Sequence, residues 1–362
     1  MNKVTTVVSA RRRLIALALG SSMMGLLAWQ ATPARAAEEI NALVWCDHDD
    51  PNLIEPFTKE TGIKVNLKVY EGTGQALSLI EQSQPGDWDV LVVDGIDVPR
   101  VAAQGLLDPL PDDKLPIADL FPPLLMEAQT VKDGKRYAIS EKFGYNSISY
   151  NKEKVDPADM QAMAILWDDK YKGRIAIYDY YLPVIGMVAM GLGKKTAELT
   201  EADLPAIRDT LLKMKGVSKL VGDVATSQNA IATGEVDILV GGGEWVTAGL
   251  AKDNPALDFT LPKEGGVLWS QAIGIFAASK KKDAALKFVQ YIVSPEGQAR
   301  LATSSCYWAM PVNTKAALTD DQKKILRWAD QPGYLANSQL YPAPSAELDA
   351  KMQEVWTEML QK

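Results

Sequence analysis

Residues 40–97 read INALVWCDHDDPNLIEPFTKETGIKVNLKVYEGTGQALSLIEQSQPGDWDVLVVDGID, and their rhythm decides the fold. Residues 40–45 form a short apolar run suited to a buried strand. Asp50-Pro51 then supplies a helix N-cap and a first-turn proline, and Leu53, Ile54 and Phe57 share one helical face until Gly62 ends it. Residues 63–70 read as the next strand, and residues 74–84 as a helix stopped by Pro85-Gly86. Residues 88–93 read as a third strand ending at Asp94-Gly95. Strand, helix, strand, helix, strand in that order predicts a parallel α/β sheet covered by helices.

The same reading extends along the chain. Residues 137–151 look extended, 174–178 and 236–240 read as strands, and 183–192 as an apolar helix. Residues 269–277 are a further strand and 282–293 a helix. The polar helical stretch 345–362 is expected to pack outside the core. Gly241-Gly242-Gly243 before Glu244 marks a sharp strand-to-helix turn or a close backbone approach.

Composition narrows the function. The chain has 362 residues, 47% hydrophobic and 23% charged, which suits a globular protein with two domains. Its 38 basic against 46 acidic residues give a formal charge of −8, unsuited to binding nucleic acid. One histidine, His48, and two cysteines, Cys46 and Cys306, leave no conventional zinc set, and no cofactor or metal is expected. A hydrolase would have to use His48, because the chain has neither a nucleophile elbow nor a zinc-protease helix.

Residues 1–36 read as a secretory leader: a basic start with Lys3 and Arg11-Arg12-Arg13, an apolar stretch too short to span a bilayer, and Ala34-Arg35-Ala36 before the cut. The order Ala10-Arg11-Arg12-Arg13-Leu14-Ile15 resembles a twin-arginine signal, so both export routes stay open. Cleavage near Ala36 removes five positive charges and no negative one, taking the formal charge from −8 to −13. The destination is the periplasm. That compartment permits a Cys46–Cys306 disulfide, although both thiols staying free is equally compatible with the sequence.

In parallel sheets ligands bind beyond the carboxyl ends of the strands. Two such ends carry distinctive residues: Trp45-Cys46-Asp47-His48 and Asp94-Gly95-Ile96-Asp97. Five stretches then identify a family resemblance: Pro56–Val65 (PFTKETGIKV), Trp88–Val93 (WDVLVV), Tyr171-Lys172-Gly173, Gly234-Glu235-Val236, and Pro262–Trp269 (PKEGGVLW). The chain resembles the periplasmic substrate-binding proteins of ABC importers, in the spermidine/putrescine branch, almost from end to end. The resemblance implies a type II two-lobed α/β fold whose ligand cleft lies between lobes joined by hinge strands. Lobe one is then 37–148 plus 270–316, and lobe two 149–269 plus 317–362. It further implies a monomer that is not an enzyme and delivers a small-molecule solute to a membrane permease and its ATPase.

Polyamine binders use an aromatic box with carboxylates at the amine positions. Aromatic faces attract ammonium groups by ~0.5–2 kcal/mol each, and carboxylates neutralise charges that are costly to desolvate. Carried over, the family's positions fall on Trp45, Cys46, His48, Asp94, Trp269, Gln271 and Tyr307. Trp45 and Trp269 read as box walls, competing with plain core packing. Asp94 reads as an ammonium partner, competing with a helix cap.

Departures matter as much. Two lobe-two acids of the family fall on Tyr180 and Pro183, and a third acid on Gln271. Asp94, Asp179 and Glu244 are the nearby replacements, with Glu244 reading first as an acid on a helix dipole; Trp245 follows it. The ligand expected is an amine-containing solute, a polyamine or a related cationic or zwitterionic compound. An amino acid derivative, opine or aminophosphonate is the alternative within the class, and an exported hydrolase the alternative outside it. Adjacent Tyr180-Tyr181 suggests ferric-ion binding, but such a pair belongs at the start of a later helix, where this chain has Gly243-Glu244-Trp245.

Overall fold

The computed structural model describes residues 38–70 and 72–362, and the leader expected over residues 1–36 lies outside them. Among the described residues nine strands have four or more residues: β1 Glu39–Val44, β2 Lys64–Val69, β3 Val90–Asp94, β4 Ile139–Asn151, β5 Ile175–Tyr178, β6 Ser218–Gly222, β7 Ile238–Gly242, β8 Leu257–Thr260 and β9 Val267–Phe276. Their order across the sheet is β2-β1-β3-β9-β4-β7-β5-β6, with β8 added on β4. β1 pairs in parallel with both β2 and β3, and β5 with both β6 and β7. β9 and β4 run antiparallel to each other between these two parallel halves, and all thirteen residues of β4 are buried.

Local chemistry explains the elements. In helix Pro51–Thr61 the Asp50 carboxylate accepts from the Asn52 backbone N–H at 2.8 Å, Pro51 occupies the first turn, and Gly62 at φ 72° closes the helix in the left-handed conformation. Each half buries residues on both faces of its sheet. Ile40, Phe57, Val90, Phe143 and Phe288 fill one large core, and Ile175, Ile177, Val184, Ile207 and Met214 the other.

The C-terminal helix, Ala346–Gln361, corrects the sequence reading. Leu348, Met352, Trp356 and Met359 are buried in the second core. Its polar composition belongs to the outer face only, and its apolar residues at four-, four- and three-residue spacing make a stripe. Among the described residues no helix is long and apolar enough to cross a membrane.

Candidate functional site

The parallel strands place their last residues together. β1 leads into Trp45, β2 into Tyr70, β3 ends at Asp94 and β5 at Tyr178. The antiparallel strand β9 crosses at this level, with Gln271 in register opposite Asp94 and Trp269 opposite Gly144. A Cβ at Gly144 would lie 1.8 Å from a Glu244 carboxylate oxygen and 2.5 Å from the Trp269 ring, so glycine leaves room for both.

Rings from both halves meet around Asp94. Trp45 lies on Tyr70 at 5.4 Å between centroids, and Trp269 on Tyr307 at 6.2 Å. Tyr178 lies 5.1 Å from Trp245, and Tyr180 lies 5.8 Å from Tyr341. The Gln271 amide donates to the Tyr307 hydroxyl at 2.8 Å. Burial first, and the nearby Asp94 charge next or further down, raise the pKa of the Tyr70, Tyr180, Tyr307 and Tyr341 phenols, which stay neutral. The Asp94 charge thus reaches Tyr70, Tyr180, Tyr307 and Tyr341, while Trp45 packs on Tyr70, Trp269 on Tyr307 and Trp245 on Tyr178, and Gln271 lies in register opposite Asp94; these packed rings are the ring wall.

Asp94 is the unusual member. Burial first, then the adjacent Asp97 carboxylate, push it up to about 7. Among the described residues it accepts no side-chain hydrogen bond and has no cationic partner, whereas Asp97 is held by Arg100 at 3.2 Å. The other two replacement acids are engaged elsewhere. Asp179 accepts from the Trp356 indole at 3.0 Å. Glu244 is fully buried and accepts the Tyr145 backbone N–H at 3.1 Å; burial pushes its carboxyl up to about 8. The triple glycine serves this docking, since a Cβ at Gly243 would lie 2.1 Å from the Tyr145 carbonyl oxygen.

His48 and Cys46 are placed differently from the sequence expectation. Cys46 is joined to Cys306 in a disulfide with Cα atoms 6.0 Å apart, which ties the Trp45 segment to the Tyr307 segment. Its sulfur is therefore not a thiol offered to a ligand. His48 lies beneath the wall, wholly buried. Its Nδ1 is 3.0 Å from Asp47, and its Nε2 is 3.1 and 3.3 Å from the two Glu141 oxygens. Lys142 Nζ completes the cluster, donating to Asp47 at 2.9 Å and to the Tyr307 carbonyl at 3.2 Å. Burial would lower the His48 pKa, but Glu141 and Asp47 override it and push it up to about 10. Burial would likewise raise Asp47, but Lys142 and His48 hold it well below the carboxylate range. Four ionisable groups are thus paired, with both His48 nitrogens occupied, although burial raises the Glu141 carboxyl and lowers the Lys142 ammonium against these pairings.

Sequence reasoning missed Tyr70, Tyr178, Tyr341 and the Glu141–Lys142 pair. Tyr70 and Tyr178 stand at strand ends that the sequence did show, and Glu141-Lys142 is a charged pair inside the otherwise uncharged strand β4. Tyr341 follows only a two-residue strand and carries no such signal.

Comparison with known proteins agrees with this architecture. Residues 52–333 match the family model described as bacterial extracellular solute-binding protein. The chain belongs to that family. Among curated relatives, the spermidine/putrescine-binding periplasmic protein of Escherichia coli (strain K12) is 28% identical over 294 residues, covering 80% of this chain and 82% of the relative. The putrescine-binding periplasmic protein SpuD of Pseudomonas aeruginosa (strain UCBPP-PA14) is 26% identical over 370 residues, covering 96% of each. Among solved structures, the spermidine/putrescine ABC transporter substrate-binding protein PotD of Streptococcus pneumoniae superposes with a TM-score of 0.76 at 22% identity, over 90% of this chain and 99% of that one. The fold is the type II periplasmic binding protein fold, two α/β lobes sharing crossing strands. Family membership makes the chain a solute-binding transport protein and not an enzyme, and the exported-hydrolase reading is set aside.

Proposed function

We propose that this chain is the periplasmic component of an ABC importer that captures a small amine-containing solute and hands it, unchanged, to a membrane permease driven by its ATPase. The observation that carries the ligand class is Asp94: a carboxylate beside a ring wall, with no cation among the described residues to neutralise it. An ammonium group fits that position, its charge balanced by Asp94 and its hydrocarbon covered by Trp45, Trp269 and Tyr307. The polyamine-binding names of the curated relatives support the same class.

In this reading the leader is removed near Ala36 and the protein works as a monomer. Lobe one comprises 37–148 plus 270–316, and lobe two 149–269 plus 317–362, hinged on β4 and β9. The solute docks first against Trp45 and Asp94. Closure then adds Tyr180 and Trp245 from the second lobe and excludes water, which strengthens the charge interaction. A micromolar dissociation constant, about −8 kcal/mol, is within reach of one charge-assisted hydrogen bond and several ring contacts, net of closure costs.

Calorimetric titration with a panel of small amines tests this. The expected result is one amine per chain, with affinity falling about tenfold per pH unit below pH 7 as Asp94 takes up a proton and its charge is lost. Binding by no amine, or amine affinity unchanged between pH 5 and pH 8, would contradict the proposal.

A further inference from the structure

Three buried side-chain atoms of the ring wall have no hydrogen-bond partner: the indole nitrogens of Trp45 and Trp245, and the Gln271 amide oxygen. Trp245 is only 7% exposed and Gln271 only 3%, so bulk water does not serve them. Trp245 lies against Tyr178, in a cluster on which Trp269 and Tyr307 also pack, and Trp45 lies against Tyr70. Two of the three orphan atoms are therefore donors, one contributed by the segment after β1 and one by the segment after β7.

Donors constrain the ligand. Protonated amines carry N–H groups and no lone pair. They satisfy Asp94 and the Gln271 oxygen but leave both indole N–H groups facing other donors. An unpaired buried donor costs about 1–3 kcal/mol. Charge gives a second, independent constraint. Asp47 and Glu141 are paired with Lys142 and His48, Asp97 with Arg100, Asp179 is engaged by Trp356, and Glu244 is docked on the Tyr145 backbone. Asp94 alone remains, enough for one ammonium.

We propose that the natural ligand is a monoammonium compound that also carries an oxygen acceptor, a carboxylate or carbonyl, seated on the indole N–H groups of Trp45 and Trp245, in preference to an α,ω-diamine. This rests on the amine-binding reading above and narrows it.

The test is calorimetry of the purified protein at pH 8 with three matched series of three to six carbons: ω-amino acids and their amides, α,ω-diamines, and n-alkylamines. The tightest acceptor-bearing monoamine is expected to bind at least about tenfold more tightly than the diamine of its length. Trp245→Phe, which keeps a ring and removes the donor, is expected to collapse that ratio towards one. Should that variant fail to fold, the wild-type ratio alone decides. Diamines binding as tightly as their acceptor-bearing counterparts would overturn this inference and leave the amine reading standing. No binding in any series would overturn the amine reading, and this inference with it.

Discussion

Asp94→Asn is expected to weaken amine binding by ~100-fold or more, and yet to make the ligand-free protein more stable at pH 8. Both effects follow from one half-buried carboxylate without a cationic partner among the described residues. Removing it leaves a bound ammonium inside a ring wall with nothing to balance its charge, which accounts for the lost affinity. The stability effect has a definite sign. Asp94 titrates near 7 in the fold against an ordinary value of 3.8, so the folded protein holds an extra proton between those limits. Its contribution to stability is fully present below about pH 3.8 and is lost as pH rises through 7. At pH 8 the wild type bears the whole penalty and the Asn variant none of it. Thermal melts from pH 5 to pH 8 check this: the advantage of the variant grows with pH. An Asp94→Asn protein that binds amines like the wild type would remove Asp94 from the site.

His48→Gln is expected to cost about 3–5 kcal/mol in stability, because it leaves Glu141 wholly buried without the cation it pairs with, Lys142 being committed to Asp47. The contribution of His48 is fully present below its ordinary value of 6.5 and is lost as pH rises towards 10, so the gap between variant and wild type narrows at alkaline pH. Adding Glu141→Gln is expected to restore most of the loss, since the orphan charge then disappears. Chemical denaturation of the two variants measures both numbers. A loss below about 1 kcal/mol for His48→Gln would mean that the cluster is not holding the floor of the site together.

These two residues show what the sequence did and did not reveal. Asp94 was visible because it ends a short apolar strand, and a strand's carboxyl end is where a parallel sheet exposes chemistry. The parallel order of β1, β2 and β3, the helix capped by Asp50, and the position of Trp45 were legible for the same local reason. Tyr70 occupies an equivalent end but carries no charge, so nothing drew attention to it. His48 stands four residues beyond the end of β1 and looked like a cleft residue, but its environment is set by Glu141, 93 residues away. Glu244 does open a helix, in keeping with its reading as an acid on a helix dipole, but three glycines and an acid gave no sign of its long-range partner. The contact that fixes them, to the Tyr145 backbone, is made 99 residues back along the chain. The disulfide spans 260 residues and had only compartment chemistry to suggest it. Short-range periodicity located the walls of the site, whereas long-range pairing decided which charges were free to meet a ligand.

The amine-binding claim is tested most directly by a crystal structure of the protein with the tightest-binding amine. The account predicts an ammonium nitrogen about 2.8 Å from an Asp94 oxygen, with the ligand's carbon atoms packed against Trp45 and Trp269. A bound amine lying away from Asp94, with that carboxylate facing only water, would contradict it.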